Sequence, residues 1–203
     1  TTNDTKKIKS IFARYNKSLK EGTKWPLDRL YRELSNVRKK AENKPSLLED
    51  FLSKNQELIK SSIFFVQDKE QGNKLAKRIA KYTSEYTTFY EGSPDVFIKL
   101  LDANEIDAVV ACERLNEGVD IKSLKNIFLI ATPRAKLVTI QRIGRCLRVD
   151  PKNKSKVSNI IDFILIDNKE PFVDDDGELV VPADTKRKEW IQELAKVKKE
   201  NDA

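Results

Sequence analysis

The chain has no histidine and no methionine, and among its 203 residues only two are cysteine, two tryptophan and six glycine. Without histidine the commonest general base is missing, and no Ser-His or Cys-His catalytic arrangement exists. The usual zinc-ligand spacings cannot be built either, so no metal ligand set is expected. Cys112 and Cys146 are too few for a disulfide framework, which points to a reducing, intracellular, cytoplasmic setting. No apolar run approaches the roughly 18 residues of a membrane span. The first residues, Thr1 to Ser10, are polar and basic without the apolar centre of a signal peptide. No membrane partner is therefore expected, and the lack of an initiator methionine points to a piece of a longer protein. Glycine is also missing from the turn after the first expected strand, where a small-molecule enzyme of the doubly wound class would take a cofactor phosphate.

What is present is sufficient for one ordinary core, with 39% apolar residues. Thirty-nine basic against 32 acidic residues give a net charge of +7. An excess of that sign favours a polyanionic partner.

The texture changes twice along the chain. Residues 1–60 read as two or three short helices, with Leu27, Leu30, Tyr31, Leu34 and Val37 at spacings of three and four. Trp25-Pro26 and Asn43-Lys44-Pro45 punctuate them. Residues 61–167 alternate short apolar strands with amphipathic helices, the pattern of a parallel sheet covered on both faces. Strands are expected at Ile63 to Val66, Tyr86 to Tyr90, Ala108 to Ala111, Ile127 to Ile130 and Ile160 to Ile166. Residues 168–203 form an appendage: a hairpin from Val173 to Val181 turning at Asp176-Gly177, then a lysine-rich terminal helix with Trp190 and Ile191 on one side. The aspartates at 174–176 read as a solvated turn rather than a calcium loop, because they lack its alternating ligand spacing. The expected fold is thus α/β, with helical additions at both termini.

Two segments carry chemistry. Gln141-Arg142-Ile143-Gly144-Arg145-Cys146-Leu147-Arg148 sets three arginines at three-residue intervals among apolar positions. At about 100° per residue, Gln141, Arg145 and Arg148 share one side of a helix while Ile140, Ile143 and Leu147 line a side that can be buried. A guanidinium fork matches phosphate oxygens bidentately and stays charged at any ordinary pH. A solvated basic face is the alternative reading of the octet alone. Gly144 inside the helix costs up to about 1 kcal/mol relative to alanine and is expected to mark close approach of another backbone. The second segment, Cys112-Glu113-Arg114-Leu115-Asn116-Glu117-Gly118-Val119-Asp120-Ile121, follows the third strand at its carboxyl end, where open α/β sheets bind ligands.

Together these segments resemble motifs V and VI of superfamily 2 helicases, in the form found in restriction-system DNA translocases and excision-repair helicases. Ser62 to Asp68 is similar to motif IV, and Phe89-Tyr90-Glu91-Gly92 to motif IVa. Thr132-Pro133-Arg134 sits where such enzymes place a proline-containing turn before motif VI. The resemblance covers about residues 60 to 167 and implies the second RecA-like lobe of a two-lobed motor, with ATP between the lobes and nucleic acid crossing both. Neither a G-x-x-x-x-G-K-[ST] phosphate loop nor an Asp-Glu pair after a strand occurs in the chain. ATP and its Mg2+ would accordingly be held by an N-terminal RecA-like domain on missing sequence.

The resemblance makes Arg145 and Arg148 arginine fingers, and Gln141 and Arg142 contacts to nucleotide or to the magnesium-binding loop of the opposite lobe. Gly118 and Asp120 would couple nucleotide to track, with Asp120 near the ribose or a finger arginine; capping of the following turn is the lesser alternative for Asp120. Gln67, Lys69, Gly92, Cys112 and Arg114 stand at nucleic-acid positions, and the Asn-Glu-Gly form of motif V favours DNA as the track. Two departures matter. Cys112 replaces a hydroxyl residue with a weak donor, leaving a backbone amide to serve any phosphate there. Asp95-Val96-Phe97 stands where relatives carry a glutamate-arginine pair. A non-catalytic nucleic-acid-binding module of helicase shape is the second functional reading.

Overall fold

The computed structural model describes residues 1–23, 25–112, 121–131, 139–141, 143–144, 148, 153, 155–164, 172–173, 179–180, 185 and 187–193. Five four-residue strands form one sheet: β1 (Ser62–Phe65), β2 (Tyr86–Phe89), β3 (Ala108–Ala111), β4 (Asn126–Leu129) and β5 (Asn159–Asp162). Their order is β2-β3-β1-β4-β5, and every neighbouring pair is parallel. Phe89, Ala111, Phe65, Leu129 and Asp162 occupy the last row in register, so all five strands end along one edge.

The central strands are continuous apolar runs because both faces of the sheet are covered. Ile63, Phe65, Val109, Ala111, Ile127 and Leu129 point to one face, packed with α5 (Val96–Asp102) through Ile98 and Leu101, and with Ile143 and Trp190. Phe64, Val110 and Phe128 point to the other, packed with Leu48 and Leu52 of α3 (Lys44–Lys54) and with Leu75 and Ile79 of α4 (Lys69–Ile79). Phe64 and Phe128 stack at 4.2 Å between ring centroids, and Phe51 meets Phe128 edge-on at 6.2 Å. The parallel sheet covered on both faces, expected from strand and helix alternation, is the one observed.

Ahead of the sheet lie α1 (Thr2–Lys20) and α2 (Leu27–Lys39), two antiparallel helices closed on Ile11, Leu30 and Leu34. The first helix starts at Thr2, before the apolar periodicity that begins at Ile8. Thr1 and Asp4 form a capping box that supplies partners to the otherwise orphaned amides of the first turn. Arg14 and Arg29 flank the Trp25 ring at 5.4 and 4.1 Å, holding the turn between the helices.

Beyond the sheet, β6 (Phe172–Val173) pairs antiparallel with β7 (Leu179–Val180), as a hairpin centred on Asp176 requires. The turn residues themselves, and Leu165 and Ile166 of the expected last strand, lie outside the described residues. Residues 185 and 187–193 are helical, and Trp190 packs on the core.

Candidate nucleotide and nucleic-acid interface

Because the strands are parallel and in register, the residues after each strand gather at one edge: Gln67 after β1, Tyr90 after β2, Cys112 after β3 and Ile130 after β4. The loop at Gln67 is tightly held. Its backbone amide donates to Gln71 Oε1 at 2.8 Å, the Gln71 amide donates to Asp68 Oδ1 at 2.9 Å, and Gln71 Nε2 donates to the Lys39 carbonyl at 2.9 Å. Asp68 caps α4 and pairs with Lys40. Partial burial works against its charged form. The Gln71 amide and the Lys40 ammonium outweigh that effect and hold its pKa below the ordinary carboxylate value. Lys69, next in sequence, is exposed at the first turn of α4.

At the end of β2, the Tyr90 amide donates to Ser93 Oγ and the Ser93 amide to the Tyr90 carbonyl, both at 2.9 Å. This turn places Gly92 at φ +86, a conformation that glycine adopts without a Cβ penalty. Burial pushes the Tyr90 phenol up to about 12, and negative charge on Cys112 and Asp68 acts in the same direction. Cys112 is half-buried and packs against the cluster beneath α3 and α4. Gln67, Lys69, Gly92 and Cys112 are therefore brought to one edge of the sheet. Arg114, Gly118 and Asp120 lie outside the described residues.

In the arginine segment, residues 139–141 and 143–144 are helical. Ile143 is 2% exposed and belongs to the core, whereas Gln141 and Gly144 are exposed. Arg148 is exposed at the far end, and its carbonyl accepts from Lys156 Nζ at 2.5 Å. The same ammonium donates to the Lys122 carbonyl at 3.0 Å, joining the end of one sequence motif to the exit of the other. Arg142 and Arg145 lie outside the described residues. Among the described residues, a Cβ added to Gly144 would meet nothing within 4 Å, so the close approach expected at this glycine is not made by any of them. The reason is its position on the exposed side of the helix, one residue from the buried Ile143.

Sequence reasoning missed three residues here. Gln71 ties the Gln67 loop to α2. Lys44, only 9% exposed, donates to the Ile130 carbonyl at 2.7 Å and anchors the start of α3 to the end of β4. Gly72 supports Tyr90, and its place inside an amphipathic helix was the one signal available.

The model of the helicase conserved C-terminal domain matches residues 43–150, which span β1 to β4 and the arginine segment. The chain belongs to this helicase C-terminal domain family. The match begins at α3, leaving α1 and α2 ahead of it. Among solved structures, phage T4 UvsW is similar at 15% identity and TM-score 0.51, covering 66% of this chain and 28% of that one. The E. coli DEAD-box protein SrmB, bound to the regulator of ribonuclease activity A, is similar at 25% identity and TM-score 0.49, covering 60% and 69%. S. cerevisiae Dbp5, bound to RNA and ADP BeF3, is similar at 20% identity and TM-score 0.46, covering 59% and 32%. The chain thus spans about a third of the Dbp5 chain and less of UvsW. No curated protein sequence matches it. The UvsW likeness shows the fold, a RecA-like helicase C-terminal lobe. Among the described residues no helix is long and apolar enough to cross a membrane, and no group of three or more His, Cys, Asp or Glu is placed to hold a metal ion.

Proposed function

We propose that this helicase C-terminal lobe is the second motor domain of an ATP-dependent helicase or translocase, of the type found in restriction systems and excision repair, acting on DNA. Its working parts are divided as residues 1–60, a helical extension or connector; 61–167, the motor lobe; and 168–203, an appended hairpin and helix. The observation that carries this reading is the arginine segment. Ile143 is sunk in the core while Gln141 and Gly144 are exposed, so the helix is fixed by one side and offers the other to a second body; Arg148, at a bend, is exposed as well. Open space at Gly144 gives that body room to approach.

The donor chemistry fits a triphosphate held from the opposite side. Arg145 and Arg148 are the fingers, Gln141 and Arg142 contact nucleotide or the Mg2+-binding loop of the first lobe, and Gly118 and Asp120 relay its state toward the track. Bound ATP supplies the free energy of γ-phosphoryl transfer to water. The chain's part is to set fixed guanidinium charge against the negative charge that develops there. Gln67, Lys69, Gly92, Cys112 and Arg114 hold the nucleic-acid backbone at the strand ends, through amides and charge that need no base contact.

The test is to join the lobe to its first domain and measure nucleic-acid-stimulated ATP hydrolysis. The isolated chain is expected to show none, the joined protein to hydrolyse ATP, and Arg145→Ala to lower turnover on the order of 10³-fold with an unchanged melting curve. Hydrolysis by the isolated chain, or no gain on joining, overturns the reading.

A further inference from the structure

Most of the net positive charge of this chain lies ahead of the helicase lobe. Residues 1–60 contain 15 lysines and arginines against eight aspartates and glutamates, a net charge of +7, whereas residues 61–203 contain 24 of each. The extension carries +7, against +3 on the lobe at residues 61–167 and −3 on the appendage at 168–203, and α1 and α2 lie outside the segment that the family shares.

The extension also adjoins the strand-end edge. A pocket of about 380 Å³ is lined by Lys7, Asn36 and Lys40 together with Gln67 and Asp68. A second, of about 540 Å³, runs on between α1 and α2 and is lined by Lys6, Lys7, Arg14 and Asn36. The two share Lys7, Asn36 and Val37, so they form one groove leading from Gln67 along the hairpin. Its acidic residues are already engaged: Asp68 with Lys40, Glu33 with Arg14 at 2.8 Å, and Asp4 buried within the capping box. Lys6, Lys7, Arg14 and Lys40 are exposed; Lys7 pairs with Glu42 at 2.8 Å, Arg14 with Glu33 and Lys40 with Asp68, while Lys6 makes no ion pair among the described residues. From Lys7 to Arg14 the helix rises about 10 Å. A groove of this length between two helices, with Ile11 and Val37 in its lining to pack against sugars and Lys6, Lys7, Arg14 and Lys40 along it to meet phosphates, suits one sugar-phosphate strand.

We infer that the α1–α2 groove is a second nucleic-acid grip, which receives the phosphate backbone of the strand leaving the sheet edge at Gln67. This rests on the nucleic-acid reading of that edge and adds to it where the strand goes next. The contacts are ionic and independent of base sequence, so affinity at this grip falls with salt.

The test is fluorescence anisotropy of the full chain with labelled single-stranded oligonucleotides of about 8 and about 25 nucleotides, the short one able to occupy only the edge. The variant Lys6→Gln/Lys7→Gln/Lys40→Gln is expected to lose about tenfold or more in affinity for the long oligonucleotide, with a salt slope lower by about 2, and to keep its affinity for the short one. Lys6→Gln/Lys7→Gln, which leaves the Lys40–Asp68 pair in place, is expected to show part of the same loss, so a folding defect in the triple variant does not hide the effect. Lys9→Gln/Lys17→Gln/Lys20→Gln removes equal charge from positions off the groove and is expected to bind both oligonucleotides nearly as the parent does. Equal loss in this control, or a groove variant that binds the long oligonucleotide as tightly as the parent, overturns the second grip while leaving the edge intact. Failure of the parent chain to bind either length removes the nucleic-acid reading itself. Capture of a glutamate-flanked amphipathic peptide by the parent but not by the groove variant, without an effect on oligonucleotides, overturns the inference in favour of a protein partner.

Discussion

The ring of Tyr90 lies directly over the α-carbon of Gly72: a Cβ built on Gly72 would stand 2.1 Å from Tyr90 Oη and 2.9 Å from Cζ. Tyr90 closes β2 at the strand-end edge and Gly72 is in the first half of α4, so this contact sets how closely the helix approaches the site. The phenol also donates to Asn73 Oδ1 at 3.3 Å, next to the glycine.

Gly72→Ala therefore tests two opposing effects. Alanine favours a helix interior by up to about 1 kcal/mol over glycine. Overpacking a site with no room costs about 1–3 kcal/mol, and here the obstacle is a buried ring rather than the free end of a flexible chain. The expected result is a net loss of stability in urea denaturation, partly recovered in Gly72→Ala/Tyr90→Phe, which removes the nearest atom. A gain in stability from Gly72→Ala alone would show that the ring moves aside at no cost.

Lys44 is expected to stabilise the lobe through its bond to the Ile130 carbonyl. Replacement by methionine keeps the apolar stem and removes the ammonium that donates to the Ile130 carbonyl, whose residue is 1% exposed. Leaving a buried acceptor without its donor costs about 1–3 kcal/mol. Equilibrium denaturation of Lys44→Met measures this, and a variant as stable as the parent would mean that another donor replaces the ammonium.

Acid is expected to loosen the junction between the extension and the lobe. Asp68 and Asp4 both have folded pKa values below the ordinary one, burial in each case being outweighed by hydrogen bonds and nearby positive charge. A lowered carboxylate pKa adds stability that is fully present above the unfolded value, near 3.9, and is lost as pH falls through the folded value. Stability measured from about pH 6 down to about pH 2.5 should hold level and then decline below about pH 4. Asp68→Asn should decline less steeply in that window, and an unchanged slope would remove Asp68 from the account.

The sheet was legible because its signal is local. A four-residue run such as Ala108 to Ala111 has to be buried on both faces to be stable, and that is where β3 lies. The split of the arginine segment into a buried side at Ile143 and an exposed side at Gln141 follows from helical period in the same way. Close approach was the reason expected for a glycine inside a helix, and among the described residues that close approach is found at Gly72. Gly144 and Gly72 are both helical glycines, and only the neighbour across space tells them apart: nothing within 4 Å of one, the Tyr90 ring upon the other.

Sequence alone determined the α/β alternation, the two-faced core and the resemblance of motifs V and VI, since periodicity and chain order are properties of neighbouring residues. Tertiary structure alone decided the strand order β2-β3-β1-β4-β5, the seating of Lys44 on Ile130 and the alignment of the α1–α2 groove with Gln67. Those pairings join residues dozens of positions apart, and no local preference marks them. They exist because burying both faces of one sheet brings distant side chains within hydrogen-bonding reach and leaves their polar groups to find partners there.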